Sequence, residues 1–202
     1  MNSLISFFKS IGLLLIVSFI MAVFSILTKN QAVAYFFTYF TSSFIFLFIY
    51  KDKLKNDLKN IGNDLNTKNI IIIVLFLVLS FISNIILVNM LNQEASNQEI
   101  AVSMLKSFLL LGIPAICLFA PFVEEIIYRL PYKKNWLSII ISTIVFTFVH
   151  ISNFSLIQMF FLIPYLFLSI SFSFAYFKNE NIILSTTTHI LNNLISIVLL
   201  LI

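Results

Sequence analysis

The chain has 202 residues, of which 60% are apolar and only 10% charged, and it carries a net charge of +4. This composition and a mean hydropathy of +1.06 are typical of a polytopic membrane protein and exclude an ordinary soluble domain. No stripe of basic and aromatic residues indicates nucleic-acid binding, so we expect the positive charge to face anionic lipid. Cys117 is the single cysteine, which excludes an intramolecular disulfide.

Seven apolar segments are long enough, or nearly so, to cross a bilayer as helices of about 20 residues. We therefore predict an all-α, multi-pass protein of the cell membrane, with about seven transmembrane helices packed as a bundle. In chain order the segments are 8–28, 32–50, 69–91, 106–130, 136–152, 155–177 and 181–202, of which the fifth is short.

The lysine and arginine residues predict how the chain is oriented in the membrane. If the N-terminus is cytoplasmic, ten of the twelve lie on the cytoplasmic side, and only Lys29 and Lys106 lie outside. Because cytoplasmic loops carry an excess of these residues, we expect a cytoplasmic N-terminus and a C-terminus outside the cell.

The longest loop, residues 51–69, repeats apolar residues at helical spacing. An amphipathic helix on the cytoplasmic headgroups would explain this pattern, and a solvated linker is an equally acceptable alternative. The apolar residues concerned are Leu54, Leu58, Ile61 and Leu65.

Polar residues within the predicted helices are unevenly distributed. The first three helices contain mainly Ser and Thr, which can hydrogen-bond to their own backbone, whereas both histidines and every intramembrane acid follow residue 120. We therefore predict that residues 1–105 form a scaffold and that residues 106–202 hold the functional site.

The fourth segment contains three ionisable residues within an apolar run, Glu124, Glu125 and Arg129. Each costs roughly 2.5–3.5 kcal/mol at the centre of a membrane helix, so such groups usually serve a function. Glu125 and Arg129 are four residues apart and can form an ion pair on one helix face. Glu124 points about 100° away and is left free to act as a general base. The alternative is a buried salt bridge beside a spare acid.

Three prolines surround this cluster. Pro114 and Pro121 each remove a backbone donor, so we expect a kink or a restart of the helix near Pro121. Pro131 disfavours helical geometry at Leu130 and ends the segment.

Two later helices each contribute a histidine. Phe146 lies one turn before His150 and can pack against its ring, although a lone histidine at a helix end is often only interfacial. His189 belongs to a polar stripe that cannot face lipid without cost, with polar contacts between helices as the alternative explanation. Counted along the helices from the cytoplasmic side, His150 lies about two turns deeper in the membrane than Glu124 and His189. This depth requires either a loop at 131–136 that dips into the membrane or a tilted helix. The stripe comprises Ser185, Thr186, His189, Asn192, Asn193 and Ser196.

Three motifs in this order resemble the CPBP family, which includes the CAAX prenyl proteases of the Rce type and the bacteriocin-processing and immunity-related proteins of the Abi type. The resemblance covers about residues 106–202 and implies an intramembrane endopeptidase with a helical fold and a cavity open toward the cytoplasm. Many members have Gly where this chain has Leu130. The motifs are Glu124-Glu125-x-x-x-Arg129, Phe146-x-x-x-His150 and His189-x-x-x-Asn193.

The resemblance also implies roles for individual residues. Glu124 with His150 would activate a water molecule for attack on a peptide carbonyl, and His189 with Asn193 would stabilise the oxyanion. The substrate would be a membrane-associated peptide or protein. Prenylated proteins, bacteriocin leaders, signal peptides and self-immunity are the associated contexts.

The family is commonly labelled metalloprotease, so a zinc ion is an alternative cofactor. Glu124, His150 and His189 would then supply the His₂Glu ligand set of a catalytic zinc. The chain has no HExxH motif, and with Glu125 paired to Arg129 a zinc-bound Glu124 would leave no carboxylate as base. We therefore expect catalysis by glutamate without a metal.

Two other classes of function compete with the peptidase. A non-enzymatic immunity or scaffold protein could retain the fold, although it has no need of an unpaired buried acid. A small proton-coupled transporter would also use intramembrane Glu and His, but transporters usually show two repeated halves, and here the polar groups lie in one half.

Overall fold

The computed structural model describes residues 2–64, 67–151 and 153–201, which form helices joined by short connections and contain no β-strand. The helices are α1 (Asn2–Thr28), α2 (Gln31–Ile49), α3 (Lys51–Asp64), α4 (Thr67–Leu91), α5 (Ser96–Ser107), α6 (Leu109–Pro114), α7 (Ala120–Tyr128), α8 (Trp136–Val149), α9 (Leu156–Phe160), α10 (Leu162–Phe177) and α11 (Ile182–Leu201). A π-helical turn, Ala115–Phe119, joins α6 to α7. The all-α fold is thereby confirmed.

Six stretches of the described residues are long and apolar enough to cross a membrane, which identifies a multi-pass membrane protein. The predicted fifth segment is the exception, because α8 has 14 residues and spans only about 21 Å at 1.5 Å per residue. The hydrocarbon core of a bilayer is about 30 Å thick. Six of the seven predicted spans therefore correspond to long helical stretches, and the remaining one corresponds to the short helix α8.

The centre of the bundle is formed around α7 and α10. Helix α10 packs against α4, α8 and α11, and α7 packs against α2 and α11. Val123, Ile126 and Ile127 of α7 are buried with Phe172 and Tyr176 of α10 in one apolar cluster. The acidic residues of α7 are consequently held in the interior of the bundle.

The connection between α7 and α8 enters the bundle. The Ser142 hydroxyl donates to the Tyr128 carbonyl at 2.5 Å, although Ser142 is already six residues into α8. The end of α7 therefore lies about 9 Å beyond the start of α8 along the helix axis. This offset brings Glu124 to the level of His150. Of the two predicted explanations for the depth of His150, this contact supports the dipping loop.

The loop predicted at 51–69 is largely helical, so the helix is confirmed and the linker alternative is wrong. Helix α3 contacts α2 and α11, and Leu54 is buried whereas Leu58 is exposed. Leu65 lies outside the described residues.

Asp57 fastens α3 to the beginning of α11. Its carboxylate accepts the Ile182 backbone N–H at 2.9 Å and pairs with Lys53 at 2.5 Å. The side chain of Asn181 donates to the Asp57 carbonyl oxygen at 2.9 Å. Because the side chain of Asp57 is only 4% exposed, the amide at the start of α11 has little access to water as a replacement acceptor.

We expect Asp57→Ala to lower the free energy of unfolding by about 0.5–2 kcal/mol, the usual loss when a capping side chain is removed from a helix N-terminus. Thermal melting of the purified protein in detergent measures this change. The exposed residue Asp52 in the same helix provides the matched control, and Asp52→Ala should change stability by less than about 0.5 kcal/mol. Equal melting temperatures for the two variants would contradict the proposed role of Asp57.

Candidate active site

Glu124 and both histidines meet inside the bundle. The Glu124 Oε2 atom lies 3.6 Å from His150 Nε2 and 3.8 Å from His189 Nε2. The Glu124 side chain is 16% exposed, whereas that of Glu125 is fully buried. The structure therefore brings together three of the predicted site residues, from α7, α8 and α11, and leaves one carboxylate accessible.

The orientation of His150 is fixed by its own helix. Its Nδ1 atom lies 2.7 Å from the Phe146 carbonyl oxygen, which can only accept, so Nδ1 carries a proton. In the neutral ring Nε2 is then unprotonated and faces Glu124. The Phe146 ring packs at 4.2 Å between centroids, and Tyr165 of α10 packs at 5.0 Å. The predicted packing of Phe146 on His150 is confirmed.

His189 is oriented by the second acid of the pair. Its Nδ1 atom lies 3.0 Å from Glu125 Oε1, so Nδ1–H donates to the carboxylate and Nε2 points to Glu124. The ring stacks on Phe172 with centroids 4.3 Å apart. Both histidines thus present Nε2 to Glu124, one held by a backbone carbonyl and the other by Glu125.

Glu125 and Arg129 form the predicted pair, and both are fully buried. The Arg129 Nε atom lies 3.5 Å from Glu125 Oε2. The same carboxylate oxygen accepts a short hydrogen bond from the Ser185 hydroxyl. Glu125 therefore has a larger role than predicted, because one carboxylate joins Arg129, Ser185 and His189.

Two serines that the motif search missed complete the surroundings of Arg129. Its Nη1 donates to Ser142 Oγ at 2.6 Å, and its Nη2 donates to Ser169 Oγ at 2.9 Å. The backbone carbonyl oxygens of both serines accept from the same two nitrogens, at 3.1 and 3.3 Å. Small polar residues recur through α8 and α10, and this recurrence is the sequence feature that could have indicated a buried polar contact. The guanidinium is thus held in a fixed plane, also packed over Phe146.

Asn193 is positioned by the irregular turn before α7. In that turn the Ala120 N–H bonds to the Ala115 carbonyl, and the donor expected next in the π-helical register, Pro121, has no N–H. The Ile116 carbonyl is left available and accepts from Asn193 Nδ2 at 2.9 Å. The irregularity lies at Ala115–Phe119, just before the predicted kink at Pro121, and it ties α11 to the helix that carries Glu124.

The site opens into a cavity of about 520 Å³. Glu124, His150, His189 and Asn193 line it, together with residues from the predicted scaffold half. Those contributions come from α2, α4 and α5, and the predicted boundary at 105/106 falls inside α5. The half predicted as scaffold therefore also shapes the binding space. Its contributions include Tyr35, Phe81, Asn84, Asn97 and Gln98.

The three predicted zinc ligands converge, but they lie slightly further apart than the ligands of a bound zinc ion. In the described part of the chain no cluster of His, Cys, Asp and Glu side chains is close enough to hold a metal ion. Ligands at 2.0–2.1 Å from a tetrahedral zinc lie about 3.3 Å from each other, whereas Glu124 is 3.6 and 3.8 Å from the histidines. Both oxygens of Glu125 are already engaged, so no other carboxylate is available as base.

Leu130 is accommodated without backbone strain. The described non-glycine residues with positive φ are Lys29, Asn92 and Glu180, so Leu130 does not occupy the conformation that favours Gly. Its side chain packs against the central apolar cluster.

One family model matches the carboxy-terminal part of the chain. Residues 106–195 match the family model described as type II CAAX prenyl endopeptidase Rce1-like, which covers just under half of the chain. No curated protein and no solved structure matches the chain. The matched range contains Glu124, Glu125, Arg129 and the predicted residues of α8 and α11. Residues 106–195 therefore match an Rce1-like protease domain, consistent with the predicted resemblance to the CPBP proteases.

Proposed function

We propose that this protein is an intramembrane endopeptidase that hydrolyses a peptide bond of a membrane-associated peptide or protein. The observation that carries the proposal is the Glu124 carboxylate, which lies in a cavity and faces two oriented imidazoles at 3.6 and 3.8 Å. At these separations Glu124 makes no direct hydrogen bond to either imidazole, and in the proposal a water molecule beside them is bound by the carboxylate and by His150. A base, two histidines and a binding cavity are the parts that water-mediated hydrolysis needs.

In this mechanism Glu124 accepts a proton from a water molecule, and the resulting hydroxide attacks the carbonyl carbon of the substrate. The lone pair on His150 Nε2 orients the water by accepting its second hydrogen. The tetrahedral intermediate collapses when the C–N bond breaks, and protonated Glu124 returns the proton to the leaving amine. Glu125 acts as a positioning residue, because it holds the ring of His189.

The oxyanion of the intermediate is stabilised by donors on α11. Asn193 Nδ2 carries two hydrogens, and one is engaged by the Ile116 carbonyl, so the second is available for the substrate. His189 donates through Nε2 in its doubly protonated form, with Nδ1–H on Glu125. A cavity of low dielectric strengthens both interactions.

We expect Asn193→Ala to lower kcat by about 10²–10³-fold, the usual loss when one oxyanion donor is removed. Mass spectrometry of peptide products measures the rate. Ser196→Ala is the matched control, since Ser196 lines the same cavity and its hydroxyl donates to the backbone carbonyl of Asn192 in its own helix. A rate for Asn193→Ala equal to that of Ser196→Ala would remove Asn193 from the mechanism.

A second expectation concerns metal. Because Glu125 is committed to Arg129, Ser185 and His189, we propose that Glu124 acts as base without zinc. Chelator-washed protein should retain its full cleavage rate. Elemental analysis should find much less than one zinc per chain. One zinc per chain whose removal abolishes cleavage would instead support the set Glu124, His150 and His189 as ligands.

The proposal also includes candidates for the substrate and for the cellular role. Bacteriocin leaders, signal peptides and prenylated chains are candidate substrates, and self-immunity is a candidate role. The proposed orientation follows the lysine distribution, with the N-terminus in the cytoplasm and the C-terminus outside.

The test incubates the purified protein in detergent with a panel of membrane-anchored peptides, prenylated and unmodified, and detects products by mass spectrometry. Cleavage by the wild type supports the peptidase. A folded Glu124→Gln variant that retains full function in cells would replace it with the scaffold alternative. Proton-driven uptake into vesicles that disappears in Glu124→Gln would favour the transporter.

A further inference from the structure

The two ends of the helical bundle differ in charge. One end, here called the basic end, contains α3, the α7–α8 connection and the α10–α11 connection. These segments contact each other: Lys53 Nζ donates to the Glu180 carbonyl at 2.5 Å, and Lys134 Nζ donates to the Lys178 carbonyl at 2.5 Å. The start of α1 joins them, because the Ser3 hydroxyl lies 3.2 Å from Asn135 Oδ1.

Ten of the twelve Lys and Arg residues belong to the helices and connections of the basic end. Of these only Arg129 is fully buried, where it serves the active site, so the nine lysines define the charge of this end. They are Lys9, Lys51, Lys53, Lys55, Lys59, Lys68, Lys133, Lys134 and Lys178.

The opposite end, here called the cavity end, contains the α1–α2 turn, α5 and the α8–α9 connection. Lys29 and Glu99 line one surface pocket there, and Gln158 of α9 donates to the Glu94 carbonyl at 3.0 Å. Only two basic residues, Lys29 and Lys106, lie at this end, with two acids, Glu94 and Glu99.

The active-site cavity extends from Glu124 toward the cavity end. Its lining comes from the second half of α4, from α5, and from the last turns of α11, which include Ser196 and Leu200. Residues of α3 and of the α7–α8 and α10–α11 connections are absent from this lining, within the described part of the chain. Access to Glu124 is therefore from the lysine-poor end.

Side-chain amides are frequent along this route. Five of them line the cavity in addition to Asn193, and a carboxamide can both donate and accept a hydrogen bond. This capacity matches the alternating N–H and C=O groups of an extended peptide better than it matches an isoprenoid chain. The amides belong to Asn84, Asn89, Asn97, Gln98 and Asn192.

The rule that cytoplasmic loops carry excess lysine and arginine places the basic end in the cytoplasm. The two expectations drawn from the sequence, a cytoplasmic N-terminus and a cavity open to the cytoplasm, cannot both hold in this structure. We propose that the cavity opens outside the cytoplasm and admits an extended peptide segment from the outer side of the membrane. This inference rests on the proposed peptidase function for its substrate class, and on charge and geometry for its direction.

The test measures which end faces outward, independently of catalysis. Cys117 is buried, so Cys117→Ala provides a background for two single-cysteine variants of exposed amide residues, Gln93→Cys at the cavity end and Asn60→Cys at the basic end. Intact cells that express each variant are treated with a membrane-impermeant maleimide before and after permeabilisation. Both substitutions remove an uncharged side chain, so the charge asymmetry is unchanged.

We expect Gln93→Cys to be fully labelled in intact cells. Asn60→Cys should be labelled only after the cells are permeabilised. Labelling of Gln93→Cys only after permeabilisation, or equal labelling of both cysteines in intact cells, would overturn the proposed direction. The same pattern is expected when Glu124→Gln is added, because topology does not depend on activity. Failure of the peptidase assay and failure of the proposed direction are therefore separate results.

Discussion

Replacing Glu124 by Gln is expected to lower the rate of peptide cleavage by about 10²–10⁴-fold, the range that a positioned general base contributes. Glutamine keeps the size of the side chain but cannot accept the proton of the attacking water. The rate is measured by mass spectrometry with enzyme in excess over peptide, so that product release does not limit it. The reduction should appear in the single-turnover rate constant and not in peptide binding, since the amide still fills the same space beside the histidines.

The melting temperature distinguishes a loss of catalysis in Glu124→Gln from a loss of folding. Glu124 is 16% exposed and meets the histidines at 3.6 and 3.8 Å, whereas Glu125 is fully buried and held by three side chains. Glu124→Gln should therefore melt within a few degrees of the wild type. Glu99→Gln, which replaces an exposed acid of α5, should leave both rate and melting unchanged. Full activity in Glu124→Gln would show that another group is the base.

The contacts within single helices were predictable because they rest on helical spacing. Glu125 and Arg129 are four residues apart, and one turn separates Phe146 from His150, so their contacts follow from a regular helix. The link between Glu125 and His189 joins two helices far apart in sequence. No local period indicates such a contact, and the carboxylate was therefore assigned to Arg129 alone.

The serines around Arg129 were missed for a related reason. A serine in a membrane helix can satisfy itself on its own backbone, so Ser142 and Ser169 carry no signal that distinguishes them from neighbouring serines. Before α8 the sequence left a dipping loop and a tilted helix as alternatives, because a residue count gives the distance along a helix but not the position of its start.

The pair of Glu125 and Arg129 gives the prediction with the largest expected effect on stability. Arg129→Met should lower the free energy of unfolding by about 3–5 kcal/mol, because it leaves the buried Glu125 carboxylate without its cation. Denaturant titration in mixed micelles measures this loss. Lys134→Met removes an exposed cation and should change stability by less than about 0.5 kcal/mol. A loss below about 1 kcal/mol in Arg129→Met would contradict the burial of a charged pair.

A double variant separates the charge of the pair from its shape. In Glu125→Gln with Arg129→Met neither buried charge remains, and replacing both members of a buried ion pair is often neutral for stability. The Gln carbonyl can still accept from His189, and its NH2 group can donate to the Ser185 hydroxyl, so most of the stability lost in Arg129→Met should return. If the double variant were as unstable as the single one, the fork of hydrogen bonds from Arg129 to Ser142 and Ser169 would be the main contribution. Recovery would instead show that the cation is required because Glu125 is charged. The Glu125 carboxylate in turn holds the ring of His189 against Glu124.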